Sequence, residues 1–133
     1  MKRMTPIFLI MTFLLTGCTS PAPKTVPEVN TYRQITMQEA VEMMEKEENY
    51  VILDVHTHEE FAAGHVPGAI VIPNETIGAE EIPQLPDKDQ LIMVYCRSGN
   101  RSKQASDKLV KLGYTNIVEF GGIIDWLGEI VMD

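Results

Sequence analysis

Two cysteines are all that the 133 residues contain, too few for the disulfide framework that props up a small cysteine-dense domain. Basic side chains are scarce as well: 11 Lys and Arg face 19 Asp and Glu, for a formal net charge of −8. That balance argues against a nucleic-acid binder and a polybasic membrane-surface protein. No apolar run reaches the ~20 residues that a bilayer-spanning helix needs. The histidines His56, His58 and His65 come without a cysteine or acidic triad at zinc-site spacing, so neither a metal nor a cofactor is expected. What is left is the composition of one ordinary globular domain, 44% hydrophobic and 23% charged.

The first residues read as an address. Met1-Lys2-Arg3 is a short basic segment, and Pro6 to Thr16 is apolar apart from Thr12 and Thr16. The stretch has the length of a secretory h-region. Leu15-Thr16-Gly17-Cys18 follows at the right distance and resembles the lipobox of bacterial lipoproteins. The resemblance implies that residues 1–17 are a signal peptide that is removed, and that Cys18 carries the lipid. Two or more acyl chains hold a protein on a membrane stably. Residues 18–34 hold Pro21, Pro23 and Pro27 without apolar periodicity and read as a Pro-rich, lipid-anchored tether. The expected location is extracytoplasmic, on the inner or outer membrane of a bacterial cell. With Cys18 lipidated, Cys96 has no partner in the chain, and is either a buried bystander or a reactive thiol.

Residues 35–133 read as one α/β domain. Thr36-Met37-Gln38-Glu39 matches a capping box, with Met37, Ala40, Val41 and Met44 following at helical spacing. Strands are predicted at 51–55, 69–72, 91–95 and 117–120. Helices are predicted at 58–63, at 98–112 with Gly113 as its stop, and at 122–130. Residues 74–90, with Pro83 and Pro86, read as mostly loop. Short apolar strands alternating with helices imply a mainly parallel sheet with helices on both faces.

Cys96-Arg97-Ser98-Gly99-Asn100-Arg101-Ser102 falls between the most hydrophobic strand and an amphipathic helix. Ligands of open α/β sheets bind beyond the carboxyl ends of strands. A helix N-terminus and a nest of loop N–H groups both favour an anion there. Arg97 and Arg101 add positive charge, so the segment reads as an activated thiolate beneath a small anion pocket. Arg97, Arg101, Lys103, Lys108 and Lys111 form a basic cluster in an otherwise acidic chain; it is either an anion site or a solvated helix face. Cys96 itself is expected to be an exposed loop thiol that contributes little packing.

The segment resembles the active-site loop of the rhodanese family of sulfurtransferases. Leu53-Asp54-Val55, Glu59-Glu60-Phe61, Gly64-His65-Val66-Pro67-Gly68-Ala69 and Gly121-Gly122-Ile123-Ile124-Asp125-Trp126 match further family blocks in order and spacing. The resemblance spans about residues 35–130. It implies that Cys96 takes a sulfane sulfur from a small anionic donor such as thiosulfate and passes it, as a persulfide, to cyanide or a thiol. It further implies that backbone N–H groups from Arg97 to Ser102 (through Ser98, Gly99 and Asn100) hold the persulfide. The Arg97 and Arg101 side chains would attract the donor. Phosphatases of the same fold use Cys-x5-Arg, whereas Cys96-x4-Arg101 is the shorter spacing, which favours sulfur over phosphoryl transfer. The family's Asp-x-Arg is here Asp54-Val55-His56; Asp54 is expected to support the loop backbone, without the bidentate pairing that an arginine gives. The alternative is a non-catalytic rhodanese module that binds a sulfur species or a partner protein at the membrane. A monomer is expected.

Overall fold

The computed structural model describes Gly17, residues 30–78 and residues 80–133. The signal peptide, Cys18 and most of the tether expected from the sequence therefore lie outside the described residues.

Five strands lie in one parallel sheet: β1 (Arg33–Gln34), β2 (Tyr50–Asp54), β3 (Ile70–Val71), β4 (Leu91–Cys96) and β5 (Ile117–Gly122). Their order across the sheet is β1-β5-β4-β2-β3. Central β4 pairs with β2 on one side, Ile52 opposite Met93, and with β5 on the other, Met93 opposite Val118. The strands read as near-continuous apolar runs because both faces of a parallel sheet are covered.

Among the described residues three α-helices supply the cover: α1 (Met37–Lys46), α2 (His58–Ala63) and α3 (Asn100–Lys111). The capping box foreseen at Thr36 and Glu39 is present at the start of α1, and a second one, Thr57 with Glu60, starts α2. On one face of the sheet Ala105 and Leu109 of α3 pack with Leu53, Val94, Cys96 and Ile117. On the other, Ala40 of α1 packs with Ile52, Met93, Tyr95 and Phe120. Alternation along each strand sorts the side chains between these two cores.

The structure differs from the expected elements at both ends of the domain. Arg33–Gln34, expected in the tether, form an edge strand opposite Val118 and Glu119, and Asn30 donates a 2.8 Å hydrogen bond to the Tyr114 carbonyl. At the other end, the helix predicted over 122–130 is a single 3-10 turn at Ile123–Asp125. Gly122 ends β5 in extended conformation instead, and Ile124 and Leu127 are 64% and 80% exposed. The apolar residues there do not make one buried helical stripe, so nothing stabilises a longer helix.

Candidate active site

The carboxyl ends of β2, β4 and β5 converge where the sequence places its reactive loop. Cys96 is the last residue of β4 and α3 begins at Asn100, so three residues make the turn. Gly99 takes a φ of +102°, the left-handed conformation that glycine adopts without strain. The turn aims the Gly99 N–H at Cys96 Sγ, 3.0 Å away. This hydrogen bond puts a backbone donor directly on the sulfur, and the first turn of α3 that follows has no side-chain cap.

The thiol is not exposed. Cys96 is 1% accessible and belongs to the core beneath α3. The expectation of an exposed loop thiol fails because β4 runs one residue further than predicted. Its alternation turns Cys96 inward with Val94, onto the α3 face.

Gly121 and Gly122 pass against the loop. A Cβ on Gly122 would sit 2.0 Å from the Arg97 carbonyl oxygen, and that oxygen accepts the Ile124 N–H at 3.3 Å. Only glycine allows so close a passage.

The charged residues separate. Arg101 donates to both carboxylate oxygens of Glu60, at 2.7 and 2.8 Å. The Arg101 guanidinium holds the Glu60 carboxyl down at about 2, and the same bond raises Arg101. Arg101 therefore ties the first turn of α3 to α2, and its guanidinium is engaged there. Lys108 donates to the carbonyl and side-chain oxygens of Asn74, away from the loop, so the basic cluster does not form one anion site. Arg97 lines an open cleft of about 390 Å³ with His56, Glu60, Ala63, Ile123 and Ile130. Ser98 and Asn100 are exposed.

Asp54 does not bond the Cys96 loop. It lies on the α1 face, where Oδ2 accepts the Tyr95 hydroxyl at 2.7 Å and Oδ1 accepts the His56 N–H at 2.8 Å. The Tyr95 hydroxyl also accepts the Val66 N–H at 3.0 Å. Burial and the neighbouring carboxylate push the Tyr95 hydroxyl up, so it stays protonated. His56 Nδ1 lies 2.7 Å from Asp54 Oδ1, but not in the geometry of a directed hydrogen bond. Asp54 thus supports β4 one residue before Cys96 and fixes the turn after β2. His65 packs elsewhere, against α2. Its ring stacks on Phe61 with centroids 3.7 Å apart, and Nδ1 is 2.8 Å from the Phe61 carbonyl oxygen.

One site residue escaped the sequence reading. Glu119, in the middle of β5, is 3% accessible. Its Oε1 accepts the Ser102 hydroxyl at 2.6 Å and the Gly121 N–H at 2.9 Å. Ser102 Oγ is in turn 3.5 Å from Cys96 Sγ. The signal was an acidic residue two positions after Ile117, on the same face of an otherwise apolar strand.

A cysteine at the end of a central parallel strand, followed by a short glycine turn into a helix, is the arrangement expected from the resemblance; its burial is not. Residues 36–129 match the model of the rhodanese-like domain; the chain belongs to that family. It is 37% identical over 73 residues to the thiosulfate sulfurtransferase PspE of Escherichia coli, covering 55% of this chain and 70% of the relative. It is 39% identical over 82 residues to a sulfurtransferase of Allochromatium vinosum, covering 59% and 73%. Among solved structures, a rhodanese with anions from E. coli superposes with a TM-score of 0.58 at 33% identity, covering 63% of this chain and 99% of that one. A rhodanese-like domain protein from Staphylococcus aureus gives 0.63 at 28% identity, covering 76% and 98%.

Proposed function

We propose that the chain is a sulfurtransferase that carries sulfane sulfur on Cys96. The observation that supports this reading most directly is the Gly99 N–H at 3.0 Å from a buried Sγ. A thiolate so placed attacks the outer sulfur of thiosulfate, a polysulfide or a persulfide; the S–S bond of the donor breaks, and sulfite or a thiolate leaves with the bonding pair. A thiol or cyanide then attacks the outer sulfur of the Cys96 persulfide and the Cys96 thiolate departs. The transfer is covalent catalysis by two displacements. Arg97, at the cleft, is the side chain placed to meet an anionic donor. The similarity to PspE favours thiosulfate as donor.

A thiosulfate:cyanide assay on the full chain tests this, with Cys96→Ala as control and intact mass taken after exposure to thiosulfate. Thiocyanate formation and a gain of one sulfur atom, both lost in the variant, are expected. If neither thiosulfate nor polysulfide loads Cys96, the chain is instead a binding module. The near-complete burial of Cys96 is the observation that favours that second reading.

The protein acts, on this reading, as a lipid-anchored monomer outside the cytoplasm. The support is the signal-like N-terminus and the Leu15-Thr16-Gly17-Cys18 pattern. Cys18→Ser is expected to move the protein out of the membrane fraction; unchanged membrane retention would count against the lipid.

A further inference from the structure

We infer that Ser102 and Glu119 form a proton relay from Cys96, in which Glu119 Oε1 takes up the thiol proton through the Ser102 hydroxyl. The inference rests on the sulfurtransferase reading for its purpose, but not for its geometry. The Ser102 hydroxyl has one proton and several acceptors in reach: Glu119 Oε1 at 2.6 Å, the Gly99 carbonyl at 2.9 Å and the Gly121 carbonyl at 3.4 Å. A charged carboxylate at the shortest distance wins that competition. The hydroxyl then turns a lone pair toward Sγ, 3.5 Å away, and the thiol is the donor in that contact. In this arrangement Ser102 supports the unreactive thiol.

Moving one proton over two hops reverses the chain. The S–H bond of Cys96 breaks as an O–H bond forms at Ser102 Oγ, and the original Ser102 O–H bond breaks as one forms at Glu119 Oε1. Ser102 ends neutral, now donating to the sulfur and accepting from the carboxylic acid. Total charge stays at one negative unit, and nothing is oxidised. The Gly99 N–H already on Sγ stabilises the product thiolate, and the Gly121 N–H stays on Oε1 throughout. Burial makes the coupling strong, because two negative charges one hydroxyl apart in the interior strongly disfavour each other. In the relay the trio therefore keeps the proton that leaves the sulfur and does not release it to solvent. It also needs no water at a thiol that is 1% accessible.

The charges around the trio are few. Arg101 of α3 lies close enough for its charge to be felt at Cys96, but is paired with Glu60 of α2. Arg97 stands on the loop toward the cleft. Across Glu119 the strand partners are Gln34 of β1 and Val94 of β4, neither of them charged. From α3, the buried residues facing the same core are Ala105 and Leu109.

The test is the pH dependence of Cys96 alkylation by iodoacetamide in the full chain, with the modified residue located by peptide mass. No sulfur donor is involved, so a failed relay and a failed sulfurtransferase are distinguishable. The wild-type rate is expected to change less than about threefold between pH 5.5 and 7, whereas Glu119→Gln should climb about tenfold per pH unit, as an ordinary thiol does below its titration. The Gly121 N–H keeps the Gln amide oxygen facing Ser102, so the variant preserves the hydrogen bond and removes only the proton site. Ser102→Ala should show the same steep climb and Ser102→Thr the flat profile, and this pair decides if Glu119→Gln fails to fold. A wild-type rate that itself climbs tenfold per unit would overturn the relay. So would Glu119→Gln alkylated at pH 5.5 as fast as wild type, since the carboxylate would then only oppose the thiolate.

Discussion

Arg101 grips both carboxylate oxygens of Glu60, at 2.7 and 2.8 Å, and so commits its fork to α2. The first helical turn after the Cys96 loop is thereby fastened to the helix that follows β2. The ion pair joins the start of α3 to a helix that lines the cleft, and of the two arginines only Arg97 lines the cleft itself. Under the sulfurtransferase reading the two arginines should fail differently. Arg97→Ala is expected to raise KM for thiosulfate about tenfold, roughly 1.4 kcal/mol of lost binding, with a smaller effect on kcat. Arg101→Lys keeps the charge but loses the two-pronged bond, and should lower kcat and thermal stability together. Steady-state kinetics beside melting curves separate the two; equal KM effects in both variants would contradict the division of labour.

The same pair makes stability depend on acid. Glu60 is held at about 2 against an ordinary 4.5, so its folded value lies below its unfolded one. Its contribution is in full force above about 4.5 and is lost as pH falls from there toward 2. Both partners are partly solvated, with side chains 28% and 35% accessible, so screening limits the effect to about 1 kcal/mol or less. Melting curves of wild type and Glu60→Gln should therefore differ near neutrality and approach each other between pH 4.5 and 2. A constant gap across that window would assign the effect of the substitution to packing or to the α2 cap.

Cys96→Ala should abolish sulfur loading yet leave a folded protein. The side chain is buried, so some stability is lost: about 1 kcal/mol is expected for removing one small apolar group from the core. Circular dichroism and a melting curve check this. Gross unfolding would show that the thiol matters to the fold far beyond its volume.

The fold was legible in the sequence wherever an element is long enough to show its period. The run at 91–95 and the α3 stripe of Ala105 and Leu109 place the thiol between strand and helix, and the Thr36 capping box marks the start of α1. What was not legible depends on register. A two-residue strand at Arg33–Gln34 has no period of its own and exists through its pairing with Val118 and Glu119. The burial of Cys96 depends on whether β4 ends at Tyr95 or one residue later, and one residue reverses the face. The partner of Arg101 is 41 positions away, a contact that only the βαβ connection creates. Asp54 was singled out as a support for the Cys96 loop, but strand alternation turns it toward Tyr95 and away from that loop.

Tyr95→Phe tests that last assignment. The Tyr95 hydroxyl stands between Asp54 Oδ2, to which it donates at 2.7 Å, and the Val66 N–H, from which it accepts at 3.0 Å. Asp54 and Tyr95 are both 0% accessible, and Val66 is 1%, so no water replaces the lost oxygen. Phenylalanine fills the same volume, which leaves the core shape intact and isolates the polar loss. Two buried groups would lose a partner, one of them a carboxyl group, and destabilisation of about 2–3 kcal/mol is expected. Because Tyr95 directly precedes Cys96 while facing the opposite core, the variant should retain the wild-type alkylation rate at Cys96 once folded. Denaturant titration gives the first quantity and peptide mass after timed alkylation the second. A stable variant with a slowed thiol would mean that Asp54 reaches the sulfur through the strand, and not through the fold alone.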